Sequence, residues 1–502
     1  VWEEIDRSSA KSVIDNCIVH NEKSIAEAIS KYDPIDAFYR WRNSIRATEE
    51  LINALMFGNI ETQQRQALLE IKLDQTFIVR EIATHSVQNL LSELFNDGLA
   101  GRVSLLLIDL VGVKFGFNSQ GYNFEGGNLE TVGDALRFLQ SRRRHFISFL
   151  YIIPVVCSGS LSVPKDFFLE VMPIIEFACI SIVSSARQLV LADVFDDFKL
   201  MSDGSVFRGN YDLQPLEEYS LEPERLSLVD IVEFKQDSVE FPQQDAIDLH
   251  KIFSVAEFKN SLRLLDSVCM QFGLSDTVFP VVSGIVCCFL SNCEQDYYIS
   301  VDRTAFEKVL YDHDKIDVEK LKKILIYSGK SYIEAIDAVQ PFVLVGDRVE
   351  SNLFLLLRFL YYLKNACLNK NKTFQIRSGF IFEAKLKQKL EGAGFVVTNI
   401  KRINRKEFDV VALKNNEIHN FQCKNNMVDI SKIVSNRCLF VRHNRKLVKY
   451  YQISLQKEKM REKLLLDKLK MTKITHYVIS RFPVFTSDDR IISFNALDRF
   501  FV

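Results

Sequence analysis

The sequence predicts a mixed architecture: a large, mainly α-helical amino-terminal region, then a carboxyl-terminal α/β domain whose small mixed sheet is flanked by helices. Three observations carry that expectation. Apolar residues recur at helical spacing through most of the first 365 positions. Short β-branched runs separated by turn residues are clearest near the end. Charge is polarised between the two parts: residues 371–502 hold 27 Lys plus Arg against 12 Asp plus Glu, net +15, whereas residues 1–370 hold 36 against 53, net -17.

Within the first part, Phe38, Trp41 and Ile45, then Leu51, Ile52 and Leu55, follow a helical stripe. The interleaved Arg40, Arg42 and Arg46 are expected on a solvated face, the other reading being contact with nucleic acid or a partner. Residues 104–113 fit a buried strand or a buried helix, because an apolar run alone does not separate the two. Gly116, Gly121, Gly126 and Gly127 read as turns, since no Gly-Lys-Ser/Thr follows to form a phosphate loop. The basic run Arg142-Arg143-Arg144-His145 leads into an apolar stretch over 146–157, and residues 278–290 form a comparable one. Both are shorter than the roughly 18 residues a bilayer requires, so they are expected to be core helices, with no membrane span.

Residues 211–250 contain 11 acidic and 2 basic residues with Pro215, Pro223 and Pro242, the composition of an irregular acidic linker. Occupation of a basic groove by this stretch is the other reading. The expected organisation is therefore a helical recognition or interaction region over 1–210, the linker over 211–250, a helical region over 251–365 and the α/β domain over 366–502.

The last of these carries the chemistry. Phe382, Leu386 and Leu390 mark one stripe of a helix, with Glu383 near its start and Gly392-Ala393-Gly394 as its stop. Phe395-Val396-Val397 reads as a first strand. Residues 408–413 and 418–424 read as a hairpin around Asn415-Asn416, residues that tolerate the left-handed backbone of a tight turn. That register sets Asp409 opposite Gln422 and Glu407 opposite Lys424, all on one face. Phe408, Val410, Phe421 and Cys423 then point to the other, as a core requires. A one-residue slip would break the arrangement. Downstream, residues 443–470 read as a long helix, 474–480 as a buried strand, 490–494 as a final strand and 496–500 as a short helix. The plainer reading of Glu-x-Asp facing Gln-x-Lys is cross-strand ion pairing, with Glu383 paired to Lys387 one turn on.

Gly379-x-x-Phe382-Glu383, Glu407-x-Asp409 and Gln422-x-Lys424, in that order, resemble the restriction-endonuclease-like PD-(D/E)xK nuclease superfamily, and within it the Mrr-type branch with Gln before x-Lys. The resemblance covers roughly the last 130 residues. It implies a metal-dependent endonuclease in which Asp409 is the principal ligand of Mg2+ or Mn2+. The Cys423 backbone carbonyl and Gln422 complete the site, Glu383 binds the metal or its water, and Lys424 orients and helps deprotonate the attacking water. Glu407 is an accessory residue. Gln422 is the departure, a neutral amide where relatives carry an acid. Hard oxygen donors of this kind suit Mg2+ or Mn2+, and phosphodiester hydrolysis needs such a cation beside a general acid–base group.

The basic excess suggests a polyanionic partner. Lys401, Arg402, Arg405 and Lys406 precede the Asp409 strand, and Arg442, Arg445, Lys446 and Lys449 open the later helix. Both sets are candidates for phosphate contact. DNA is the expected substrate, RNA or a branched structure the alternative, and a non-cutting nucleic-acid-binding scaffold the alternative of another class. A nuclease without a motor fused to a helical region is similar to effectors of anti-phage defence or modification-dependent restriction. Cutting both strands with one site per chain calls for a homodimer or a partner subunit. Ten cysteines without CxxC spacing fit free thiols in a reducing cytoplasm. The sequence holds no zinc-ligand pattern, Ser-His-Asp signature, dinucleotide fingerprint or ATP-binding loop.

Overall fold

The computed structural model describes residues 3–54, 60–73, 80–121, 129–203, 207–211, 248, 250–312, 316–426 and 432–500. The protein is mixed α+β, mainly helical with several small sheets. The acidic stretch expected to be a linker lies almost wholly outside the described residues, as do Gly126 and Gly127.

In the amino-terminal region, helices Arg7–Ile29, Pro34–Ala54, Asp97–Ser119 and Val132–Val156 pack into one large core. Residues 104–113 are thus helical, and Gly116 lies inside that helix rather than in a turn. Trp41 is fully buried among Phe146, Phe149, Phe167 and Phe168, and its indole N–H donates to the Phe146 carbonyl at 2.9 Å. Edge-on and stacked rings add to the area such a cluster buries.

Of the three interleaved arginines, only Arg40 lies on the solvated face expected of them. Arg42 is paired with Glu350 at 2.9 Å, and Arg46 with Glu50 at 2.9 Å, while Arg40 is exposed. Arg142, Arg143 and Arg144 each hold a different buried carboxylate: Glu176, Glu49 and Asp337. Successive helical residues point about 100° apart, so this triplet faces three neighbours at once. Removing one member of such a pair strands a buried charge. A cavity of about 490 Å3 opens nearby, between Arg46, Glu50, Arg102, His250 and Gln295. Its two arginines are both tied to Glu50.

The run Phe167–Val194, which sequence reading passed over, is long and apolar enough to cross a membrane. More than half of its apolar window is buried inside the protein, and Glu176 within it holds Arg142 at 2.7 Å. The region 251–365 is not purely helical. Helices Val255–Gln271, Val278–Cys288 and Leu353–Leu368 surround a four-stranded antiparallel sheet of Cys293–Glu294, Tyr298–Asp302, Arg348–Asn352 and Val343–Val345. Residues 343–352 form a tight hairpin, too short and too mixed in pattern to stand out from helix by periodicity.

The carboxyl-terminal sheet has five strands in the order Ile491–Ser493, Ile474–Ser480, Glu417–Lys424, Val410–Lys414, Val396–Val397. The first three are mutually parallel and the last three antiparallel. Helix Lys372–Gly392 covers one face through Phe382, Leu386 and Leu390, packed on Val410, Ala412, Phe421 and Ile479. It starts at Lys372, capped by Asn371, so Glu383 sits mid-helix rather than near the start. Gly394, at φ +80°, ends the turn that follows. The expected long helix over 443–470 is two helices, Arg437–Met460 and Glu462–Leu469, broken at Arg461. The first lies against the other face of the sheet, and its Phe440, Val441, Leu447 and Tyr451 belong to the same core as the amino-terminal helices. The α/β part is therefore docked on the helical region, not separate from it. Arg437 pairs with Asp193 at 2.9 Å, and the Ser435 N–H donates to the Asp337 carboxylate at 2.6 Å.

Candidate active site

Asn415 and Asn416 both adopt left-handed backbone (φ 53° and 60°), the geometry of a two-residue hairpin turn. This fixes the register: Val410 lies opposite Phe421 and Lys414 opposite Glu417. Asp409 precedes the strand by one residue. Its carboxylate accepts the Cys423 backbone N–H at 2.8 Å and the Gln422 side-chain amide. Asp409, Gln422 and the Cys423 backbone are thus one hydrogen-bonded unit. Because Gln422 gives its nitrogen to Asp409, its amide oxygen remains to accept.

Glu383 enters from the helix on the neighbouring face. Burial first, then the Asp409 carboxylate, push its carboxyl up to about 7, and Lys387 and Lys401 oppose that rise. A partly buried carboxyl beside another acid resists ionising. Burial also drives the Cys423 thiol well above its usual range, with Asp409 and Glu383 adding to the effect and Lys424 and Lys387 opposing it. Glu383, Asp409, Cys423 and Lys424 therefore share one electrostatic neighbourhood. The Lys424 ammonium sits 5.2 Å from the centre of the Tyr450 ring, a cation–π contact that holds the side chain outward from the strand.

Glu407 does not face Lys424. The chain kinks at Phe408–Asp409, and Glu407 belongs to a separate two-strand ribbon, Arg402–Ile403 with Lys406–Glu407, where it is exposed and ion-paired with Arg402. The same kink sends Phe408 away from Val410. It packs with Val411, Ile418 and Leu465 on the opposite face. Alternation along an ideal strand misses this, because a bulge or kink changes parity.

Of the basic candidates, Lys401, Arg402, Arg405 and Lys406 are exposed on the ribbon, whose tip residues Asn404 and Arg405 are left-handed (φ 46° and 65°). Arg442 and Lys446 are exposed on helix Arg437–Met460. Arg445, though exposed, donates to the Asp193 carbonyl at 2.7 Å and so belongs to the contact with the helical region.

Sequence reading missed two groups at the site. Tyr450 gave no signal beyond its place in a basic helix. Asn425 binds the end of the hairpin to the covering helix through Ser378 Oγ at 2.7 Å, while Arg481 donates to it at 3.1 Å. Its only sequence signal is adjacency to Lys424.

Among the described residues no three His, Cys, Asp or Glu side chains converge as a metal-binding group, and all ten cysteines are free. Two carboxylates, an amide oxygen and a backbone carbonyl nonetheless fit Mg2+, which keeps several waters and needs only one or two protein carboxylates. The crowding of Glu383 and Asp409 is the kind of excess negative charge a cation relieves. Comparison with known proteins adds no relative: no family model, curated protein or solved structure matches the chain.

Proposed function

We propose that the carboxyl-terminal domain is a restriction-endonuclease-like PD-(D/E)xK nuclease, a metal-dependent endonuclease that hydrolyses DNA phosphodiester bonds. One observation carries the reading: a helix and a hairpin from separate parts of the sequence gather Glu383, Asp409, Gln422, the Cys423 backbone and Lys424 at one end of a mixed sheet. Asp409, Glu383, the Gln422 oxygen and the Cys423 carbonyl would hold Mg2+ or Mn2+. Such an ion, when bound, neutralises phosphate charge and lowers the pKa of the attacking water.

The chain's own groups supply the rest. The Lys424 ammonium, steadied by Tyr450, offers hydrogen bonds to the attacking water and to a phosphate oxygen. The Cys423 N–H and the Gln422 amide keep the Asp409 carboxylate fixed, so it loses no orientation when the substrate arrives. The exposed ribbon cations, Lys401, Arg405 and Lys406, offer charge to the backbone on either side of the cut. The helical region, docked through Arg437 and Asp337, is the part suited to sense a target or partner, as in an effector of anti-phage defence or restriction in a cytoplasm.

Incubation of the whole protein with plasmid DNA and with RNA in Mg2+ or Mn2+ tests this. Cleavage should be lost in Asp409→Ala and Lys424→Ala with folding retained; cleavage unchanged by both substitutions excludes the site. RNA cut in preference to DNA selects the alternative substrate. Gln422, a neutral amide that brings the ion less negative charge than a carboxylate, favours, as a second reading, a nucleic-acid-binding subunit that does not cut. That subunit would bind DNA normally after Asp409→Ala and cleave nothing before it.

A further inference from the structure

The helix bearing Glu383 has two stripes. Phe374, Ser378, Phe382, Leu386 and Leu390 face the protein. Ile376, Phe380, Glu383 and Lys387, at i, i+4, i+7 and i+11, share another side of the same helix. On that second stripe Phe380 is 64% exposed and Ile376 51% exposed, so neither is core. Phe380 stands one turn before Glu383 on the same side of that helix. From the opposite helix, Tyr450 is 46% exposed, rests against the buried Tyr451 ring with centres 5.9 Å apart, and touches Lys424. Exposed Arg442, Lys446 and Lys449 lie along that helix before Tyr450.

Single exposed apolar residues are ordinary on a protein surface. Two exposed aromatic rings, one a helical turn from Glu383 and the other against Lys424 with cations along its helix, are a different matter. Aromatic faces interleaved with basic groups are what an unpaired strand requires: the rings take base faces whatever the base, and the cations take the backbone. In a duplex those base faces are stacked on one another and out of reach.

We propose that Phe380 and Tyr450 form a stacking platform for unpaired nucleotides flanking the Asp409–Lys424 site, so that the preferred substrate is a single-stranded or frayed nucleic acid. The proposal rests on the nuclease reading for the position of the cut, not for the binding itself. Binding is therefore measured apart from cleavage, in whole Asp409→Ala protein with EDTA, by fluorescence anisotropy with dT20, rU20 and a 20-base-pair duplex. Tighter binding of a single strand than of duplex is expected. Phe380→Ala and Tyr450→Ala should each weaken it about tenfold and alter duplex binding less than twofold, and Phe380→Trp should retain it. The relative affinity for dT20 and rU20 identifies the sugar. Duplex bound as tightly as single strands, or equal losses on both, overturns the platform, as does a dimer that these substitutions dissociate. A platform that passes while no nucleic acid is cut in Mg2+ or Mn2+ removes the nuclease reading alone.

Discussion

Replacing Glu383 by Gln should stabilise the metal-free protein at pH 8 and leave it unchanged at pH 5. The Glu383 carboxyl is raised from 4.5 to about 7 by burial and by Asp409. Between those two values the folded protein binds more protons at this position than the unfolded chain, so stability falls as pH rises through the window. Each unit of such a difference corresponds to about 1.4 kcal/mol. Because the side chain is only partly buried, so that solvent screens the repulsion, we discount the total to about 1–2 kcal/mol. Gln keeps the shape and cannot ionise, so at pH 8 the variant escapes that cost, whereas at pH 5 the wild-type carboxyl is already neutral. Urea unfolding in EDTA at pH 5, 7 and 8, followed by circular dichroism, measures the difference. Millimolar Mg2+ should narrow it at pH 8 by stabilising wild type more than the variant, since a ligand of the folded state adds stability in proportion to its affinity. Identical pH profiles for the two proteins, or a Gln variant less stable at pH 8, would mean that Glu383 does not crowd Asp409, and the site would come apart at its first joint.

Other expectations follow from the same geometry. Arg143→Met should cost about 3–5 kcal/mol in urea unfolding by stranding the buried Glu49, and the double change Arg143→Met/Glu49→Leu should recover most of it. Glu407→Ala should leave cleavage within about twofold of wild type in a plasmid assay, because its partner is Arg402 rather than Lys424; a loss comparable to Asp409→Ala would return it to the site. The triple change Lys401→Ala/Arg405→Ala/Lys406→Ala should reduce the slope of log affinity against log salt by about 2–3 on duplex DNA, with each lost phosphate contact contributing about 0.9. An unaltered slope would take the ribbon out of the nucleic-acid path.

What the sequence made legible was local. Asn415-Asn416 dictates its own turn, and the turn dictates the hairpin register, so the pairing of Val410 with Phe421 needed nothing distant. The strand Ile474–Ser480 and the stop at Gly394 are likewise written in a few adjacent residues. What failed depended on tertiary contact. Glu407 was expected opposite Lys424 by extending strand alternation past the point where the backbone kinks at Phe408. Arg42, Arg46 and the Arg142–Arg144 triplet resemble solvated or nucleic-acid-binding residues because each buried carboxylate partner, except Glu50, lies over 30 positions away in sequence. The helix over 372–378 was missed because its core residues, Phe374 and Ser378, continue a stripe that only the packed structure shows to be continuous with Phe382.

The charge polarity of the chain also changes meaning once partners are visible. An excess of +15 over residues 371–502 suggests a polyanionic partner. Part of it instead meets the acidic helical region: Arg437 holds Asp193, and Arg445 donates to the Asp193 carbonyl. Lys11 also reaches Asp193, so one acidic residue gathers cations from both parts of the molecule. Opposite net charges thus help hold the α/β domain against the helices, and the cations left exposed include those of the ribbon and Arg442, Lys446 and Lys449. The two uses are separable by position. Cations that pair with Asp193 lie on the side of helix Arg437–Met460 turned to the helical region, whereas Tyr450, the ring beside Lys424, marks the side turned to the site. A nucleic acid approaching Asp409 would therefore meet a surface whose positive charge has already been partitioned by docking, and movement of the helical region would reach the site through helix Arg437–Met460 and through the Glu383 helix, whose Phe374 packs in the core of residues 258–368.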